Sequence, residues 1–349
     1  MKTNKLYLIA VVLGISVFLL CNNSIAQSVD ELKITVRQLE AQNKALEAKV
    51  KKLQKGKSKS DSESEETMKQ LQEENDELRA EIREVRESER ASSAAEAEAK
   101  SNRIKVTDPI FNEYLLRYCD MDNDGVLTQW DAEHTYVIDI AKDKSLLKKL
   151  DNSKDVKSLD GIEYFVNLRR LVCSGNTIPQ MDLSNNVNLE TVIANGCELK
   201  LLNVSRNENL VRLECNNNLL YTIDLSSNSN LQLLDLYKNK LEVLVLSNCT
   251  KLKTLMCAGN TLTNLDVSNN VELESINCSS NKLVELSFVN NSKLVDIDIS
   301  NNSLVSVDLR NGLDIHYLDC TKNKNLDYVI LSKDKTVLAE RKDSKTQYK

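Results

Sequence analysis

Leu252-Lys253-Thr254-Leu255-Met256-Cys257-Ala258-Gly259-Asn260 is one copy of a phrase that returns every 21 residues. The copies begin at Leu168, Leu189, Leu210, Leu231, Leu252, Leu273, Leu294 and Ile315. The full unit reads L-x-x-L-x-C-x-x-N-x-L-x-x-L-D-L-S-x-N. One such unit cannot bury its own apolar face, but stacked units share a continuous core. The shortage of turn-formers agrees with this, since 349 residues hold only 8 Gly and 2 Pro. Asn176, Asn218, Asn239, Asn260, Asn281, Asn302 and Asn323 recur at position nine. They are expected to form a ladder that bonds backbone groups left unpaired where each turn bends.

The spacing also accounts for most of the 9 cysteines. Cys173, Cys215, Cys257, Cys278 and Cys320 occupy position six, which points into the core. Cys249 stands where a second set carries Asn186, Asn207, Asn228, Asn270 and Asn291. Buried in this way, cysteine behaves as a small hydrophobe. Adjacent position-six residues are about 5 Å apart across strands, but their parallel side chains suit a disulfide poorly.

The pattern resembles the leucine-rich repeat family, whose period is about 20–29 residues. Family usage also allows the Cys197 found in place of asparagine in the second turn. Val156-Lys157-Ser158-Leu159-Asp160-Gly161-Ile162-Glu163-Tyr164-Phe165 looks like an N-terminal cap. A leader, an acidic loop, this Leu-Asp-Gly-Ile-Glu-Tyr-Phe stretch and Cys-bearing repeats, in that order, are similar to secreted internalin-like proteins of Bacteroidetes. An N-terminal stalk is an addition to that pattern. The resemblance implies an α/β repeat solenoid whose variable strand positions line a concave ligand face.

Position five on that face reads Val172, Ile193, Glu214, Asp235, Met256, Asn277, Asp298 and Asp319. Glu214 with Asp235, and Asp298 with Asp319, are therefore expected as adjacent carboxylates, flanked by Tyr237, His316 and Tyr317. The expected ligand is a protein with basic groups, with the tyrosines as anchors, because aromatics are enriched at interface hot spots. The alternative is that these acids only keep a solvated face soluble. Paired carboxyls about 5 Å apart also suit a retaining glycosidase. An open repeat surface offers no enclosed sugar site, however, and neither of the 2 His lies in a nucleophile motif. A carbohydrate-binding module is weakened by the lack of tryptophan on the repeats, since the single Trp is Trp130.

Asp120-Met121-Asp122-Asn123-Asp124-Gly125-Val126-Leu127-Thr128-Gln129-Trp130-Asp131 resembles an EF-hand loop. Ca²⁺ takes six to eight oxygens, which such a loop supplies from positions 1, 3, 5, 7, 9 and 12. Here those are Asp120, Asp122, Asp124, the Val126 carbonyl, Thr128 and Asp131. Position 12 is an aspartate, shorter than the usual bidentate glutamate, and the loop has no second copy to pair with. The alternative is an Asx-rich turn that joins two helices without metal.

Upstream, residues 27–90 carry heptads. Val29, Val36, Asn43 and Val50 share position a, with Leu32, Leu39, Leu46 and Leu53 at d. After a polar link at 55–64, Met68, Asn75 and Ile82 are at a, and Leu71, Leu78 and Val85 at d. β-Branched a with leucine d favours a parallel dimer, and Asn43 and Asn75 would fix its register. Glu74 and Glu81 at g would face Arg79 and Arg86 of the partner helix; a trimer is the alternative. Residues 91–102 read as a linker and 333–349 as a C-terminal cap or tail.

Lys2 and Lys5, the apolar run Leu6–Leu20 and Ser24-Ile25-Ala26 have the order of a secretory signal. Cleavage after Ala26 gives an exported chain with no transmembrane span, and Cys21 makes a lipid anchor the minority reading. The net charge of −6 argues against a nucleic-acid binder. The functional expectation is an exported repeat protein that binds a protein partner and is oligomerised by its stalk. The alternatives are a structural envelope spacer or a carbohydrate-binding module.

Overall fold

The computed structural model describes residues 29–55, 62–141, 155–310, 315–332 and 336–348. The leader, its cleavage site and Cys21 lie outside the described residues. The chain divides into a helical unit ending at Ala99 and a second unit from Lys100 onward.

The helical unit contains α1 (Val29–Lys55) and α2 (Ser62–Ser101). The sequence suggested a parallel pairing with a second copy, but in this single chain the helices run antiparallel to each other. Arg79 Nη2 lies 3.0 Å from Glu47 Oε1, and Arg86 pairs with Glu40. Seven residues up one helix thus correspond to seven down the other. Leu32, Val36, Leu39, Leu46, Val50 and Ile82 are buried. Six residues separate the two helices, and closing so short a connection costs little entropy. Residues 91–101, expected as a linker, continue α2.

The second unit is a parallel β-solenoid. Its concave sheet has ten strands: β1 (Val137–Asp139), β2 (Arg170–Val172), β4 (Thr191–Ile193), β6 (Arg212–Glu214), β7 (Leu233–Asp235), β8 (Thr254–Met256), β9 (Ser275–Asn277), β11 (Asp296–Asp298), β13 (Ile315–Asp319) and β15 (Val337–Arg341). The return segments form two smaller sheets. One pairs β3 (Gln180–Asp182) with β5 (Leu201–Asn203). The other runs β10 (Glu285–Ser287), β12 (Ser306–Leu309), β14 (Tyr328–Leu331), β16 (Gln347–Tyr348). From β2 to β13 every register is offset by one 21-residue repeat, as in Leu234 opposite Leu255 and Leu255 opposite Ile276. The leucines at positions one and four, the position-six residues and the return-segment aliphatics form one core. Full burial of each is worth about 1.5–3 kcal/mol.

The asparagine ladder forms as expected. Asn260 Nδ2 donates to Leu236 O (2.9 Å) and Cys257 O (3.0 Å), and its Oδ1 accepts from Leu241 N (3.0 Å). The second set is also a ladder. Asn207 Nδ2 donates to Leu183 O and Asn186 O at 3.0 and 2.7 Å, while the Oδ1 atoms of Asn186, Asn207, Asn228 and Asn270 are buried without a donor. One recurrent feature was missed. Position eight is left-handed in every turn, with φ between 52° and 80° at Gly175, Gly196, Asn217, Lys238, Gly259, Ser280, Asn301 and Lys322. Only some turns use glycine or asparagine there, so composition concealed the constraint.

The sequence pattern places the repeat domain at residues 146–332, and the stack extends beyond it at both ends. β1 pairs with β2 in parallel, so the segment assigned to the acidic loop already supplies a strand of the concave sheet. α3 (Pro109–Tyr118) and α4 (Gln129–Glu133) flank the loop, and Phe111, Tyr114, Leu115, Ala132, Ile138 and Ile140 join the common core. The loop-bearing segment therefore forms the outer cap, together with the 3-10 turn Ile162–Tyr164. The first rungs of both ladders tie this cap down. Asn176 Nδ2 donates to Ile140 O, and Asn186 Nδ2 to Ile162 O and Phe165 O. At the other end, β15 and β16 each extend a sheet, so the C-terminal segment is a further turn.

Candidate functional site

The concave face is where the repeat leaves side chains free to vary, since strand positions three and five point outward between buried leucines. Glu214 and Asp235 are register partners on β6 and β7, and Asp298 and Asp319 on β11 and β13. The expected adjacency is therefore present. The two groups start four repeats apart, which at about 4.8 Å per strand is roughly 19 Å.

Most of these acids are engaged within the fold. Glu214 accepts from Arg212 Nε (2.6 Å) and Asn195 Nδ2 (3.2 Å). Asp235 accepts from Asn216 Nδ2 (2.6 Å) and Tyr237 N (3.0 Å). Asp319 is buried, accepts from Thr321 N and Oγ1 at 3.0 and 2.7 Å, and lies 3.1 Å from Arg341 Nη1. Asp298 gives one oxygen to Ser300 N and Oγ at 3.1 and 2.7 Å. The recurring Asp182, Asp224, Asp266 and Asp308 likewise accept from the backbone N–H two residues on. A short acid at position five thus also closes its own turn, since Asp235, Asp298 and Asp319 each accept from the N–H two residues on. Tyr237 and His316 remain exposed, and Lys238 Nζ sits 5.0 Å from the Tyr237 ring. Tyr317 is half-buried, with its hydroxyl 3.4 Å from Asp319 Oδ2.

The acidic loop gathers part of the expected ligand set. Carboxylate oxygens of Asp120, Asp122 and Asp124 all lie within 4.8 Å of one another. Oxygens bound to one Ca²⁺ at about 2.3–2.6 Å can be no more than about 5 Å apart, so these three fit. Desolvation, then the neighbouring Asp124, Asp131 and Asp120 charges, push the Asp122 carboxyl above its ordinary pKa. Gly125, at φ 80°, makes the turn, and a Cβ there would meet nothing within 4 Å. Asp131 stands outside the cluster, and the Thr128 hydroxyl is bonded to it. Asp131 is fully buried and accepts from Met121 N (2.9 Å), Thr128 N (2.9 Å) and Thr128 Oγ1 (2.6 Å). The pair form the capping box of α4 and tie the two ends of the loop together. The short Asp131 thus serves the helix N-terminus.

The eight cysteines among the described residues are all free and buried. Burial pushes Cys119 and Cys249 up to about 11 and Cys257 and Cys320 up to about 12. These four are packing residues held as thiols. Asn43 and Asn75, expected to set a register between chains, lie along the seam of the helical unit with both Oδ1 atoms buried and without a donor.

No protein-family model matches the chain, and no curated protein sequence matches it. Solved structures do. The functional domain of InlJ from Listeria monocytogenes, described as including a cysteine ladder, is 22% identical, with 68% of this chain and 60% of that one aligned and a TM-score of 0.50. An internalin, InlF, from the same organism is 20% identical over 69% of this chain and 94% of that one, with a TM-score of 0.37. A leucine-rich repeat protein of Leptospira interrogans is 17% identical over 55% and 57%, with a TM-score of 0.36. The chain thus spans less than two thirds of the InlJ domain. Together with the 21-residue period, the likeness establishes the fold as a leucine-rich repeat solenoid preceded by helices.

Proposed function

We propose that this is an exported binding protein that recognises a protein partner on its concave face, with copies brought together by the helical segment. The observation that carries the reading is the ten-stranded parallel sheet. Its outward positions change in character from turn to turn while the core positions stay apolar. Such a surface suits recognition. Tyr237, His316 and Asp298 are the residues assigned to contact, since Glu214, Asp235 and Asp319 are needed by the fold. Asp120, Asp122 and Asp124, with the Val126 carbonyl, would hold Ca²⁺, whose part is to stiffen the N-terminal cap. No helix among the described residues is long and apolar enough to cross a membrane.

The test is affinity capture from envelope and host-surface extracts with the native chain, a Tyr237→Ala/Asp298→Asn/His316→Ala variant and a Val243→Ser control on the return side. The expected result is a partner held by the native chain and the control, and lost by about tenfold or more from the concave variant, the scale of an interface hot spot. Equal retention by both variants would overturn the assignment. For the loop, millimolar Ca²⁺ should raise the melting temperature of the native chain and not that of Asp122→Asn/Asp124→Asn. A native chain that does not respond would sink the metal reading.

A further inference from the structure

The seam of the helical unit fits two different partners. In the hairpin, Arg79 and Arg86 pair with Glu47 and Glu40. The antiparallel register set by these ion pairs puts Asn43 level with Arg83, next to the seam residue Ile82. It puts Asn75 level with Lys51, next to Val50. Neither asparagine faces the other. Asn75 is only 8% exposed, and the Oδ1 atoms of both are shielded without a donor. Among the described residues the Asn43 amide nitrogen reaches only Glu47 of its own helix, at 3.1 Å. A buried acceptor left unmade is expensive. Glu81, half-buried, also has no cation beside it among the described residues, and desolvation together with Glu84 pushes its carboxyl up.

We propose that the hairpin is a closed form that exchanges with a parallel, in-register dimer, the second occupant of each seam being another copy of this chain. This rests on the oligomerisation part of the reading above and specifies its geometry and its competitor. In register, Asn43 meets the copy's Asn43 and Asn75 the copy's Asn75, and each pair can satisfy both amides. Arg79 and Arg86 exchange Glu47 and Glu40 for the copy's Glu74 and Glu81, five positions earlier in the heptad frame. The number of ion pairs per chain is unchanged. What favours the dimer is the paired asparagines; what favours the hairpin is that it needs no second molecule. The balance therefore depends on concentration, and multivalent display of the repeat face would appear only where copies accumulate.

The two forms use different glutamates, and this makes them separable. Glu40 and Glu47 support the hairpin alone, because in the parallel dimer they would face Thr35 and Gln42. Glu74 and Glu81 support the dimer alone. Sedimentation equilibrium of the full chain over a range of concentrations reads both, with helicity followed by circular dichroism to confirm that each variant folds. Glu40→Lys/Glu47→Lys should tighten dimerisation about tenfold, and Glu74→Lys/Glu81→Lys should weaken it about tenfold, from the summed effect of several exposed ion pairs. A dimer that responds to neither pair would overturn the exchange while leaving oligomerisation standing. A chain that stays monomeric throughout, in both variants, would remove both. A trimer would overturn the asparagine pairing.

Discussion

The two units use the same residue type in opposite ways. In the solenoid, Asn260 makes three hydrogen bonds to backbone groups of its own and neighbouring turns. In the helical hairpin, Asn75 is equally buried and its Oδ1 has no donor. The difference lies in the surrounding backbone. A helix pairs its own N–H and C=O groups and leaves nothing for a side-chain amide to satisfy. The bend after each solenoid strand leaves carbonyls and an N–H unpaired, and asparagine at position nine supplies both functions at once. A buried asparagine therefore stabilises one unit and costs the other, unless a second asparagine is brought opposite it.

The sharpest way to break this comparison is to remove the amide from each unit. Asn260→Leu should destabilise the solenoid by about 2–4 kcal/mol, since the buried Leu241 N–H loses its acceptor outright at about 1–3 kcal/mol, while Leu236 O and Cys257 O each lose one bond but keep a donor in Asn239 and Asn281. Asn75→Val should leave the helical unit as stable or raise it by about 1 kcal/mol. Urea unfolding followed by circular dichroism reads both, and a loss of similar size at the two sites would refute the contrast.

A second difference is titratable. The solenoid buries thiols whose pKa values rise to about 11 at Cys249 and about 12 at Cys257 and Cys320, through desolvation. Thiols of the unfolded chain ionise near 9. A raised folded value means the stabilisation is complete below pH 9 and is lost as pH climbs from there toward 12. Solenoid stability should be level near neutral pH and fall steeply above about pH 9. The cysteine-free helices need show no such slope. Replacing Cys257 and Cys320 by alanine should make the alkaline limb shallower without removing it, since burial also raises Cys215, Cys249 and Cys278, and an unchanged limb would assign it to other groups.

The smallest effect comes from the irregular rung. Cys249 interrupts the second ladder, its Sγ 3.9 Å from Leu225 O, where asparagine would donate to Leu225 O and Asn228 O. Cys249→Asn should stabilise the solenoid by about 1 kcal/mol, read as a shift in the urea midpoint. A destabilised variant would show that packing of the thiol outweighs those two bonds.

The repeat was legible because eight copies of one spacing leave a single way to bury leucines, and that spacing also predicted the Asn176 to Asn323 ladder. The cap was harder to read. The sequence of residues 103–145 resembles a self-contained helix-loop-helix, and what joins its described part to the solenoid is contributed in three dimensions, by the pairing of Val137–Asp139 with Arg170–Val172 and by a shared core. The candidate face was half legible. Spacing placed Glu214 beside Asp235, but it carries no information that Asn195 and Asn216, one turn earlier, reach across to bind them.

By itself the sequence determined the solenoid, its register and the identity of its core, because those follow from periodicity and burial alone. It also determined that the helical segment has one apolar seam and two asparagines within it. Tertiary structure decided what covers that seam, which carboxylates are spent on turns, and that Asp131 caps a helix. Each of these depends on the geometry of groups far apart in the chain, where a hydrogen bond exists or fails by about an ångström. A linear pattern names the candidates, and only the folded arrangement distributes their bonds.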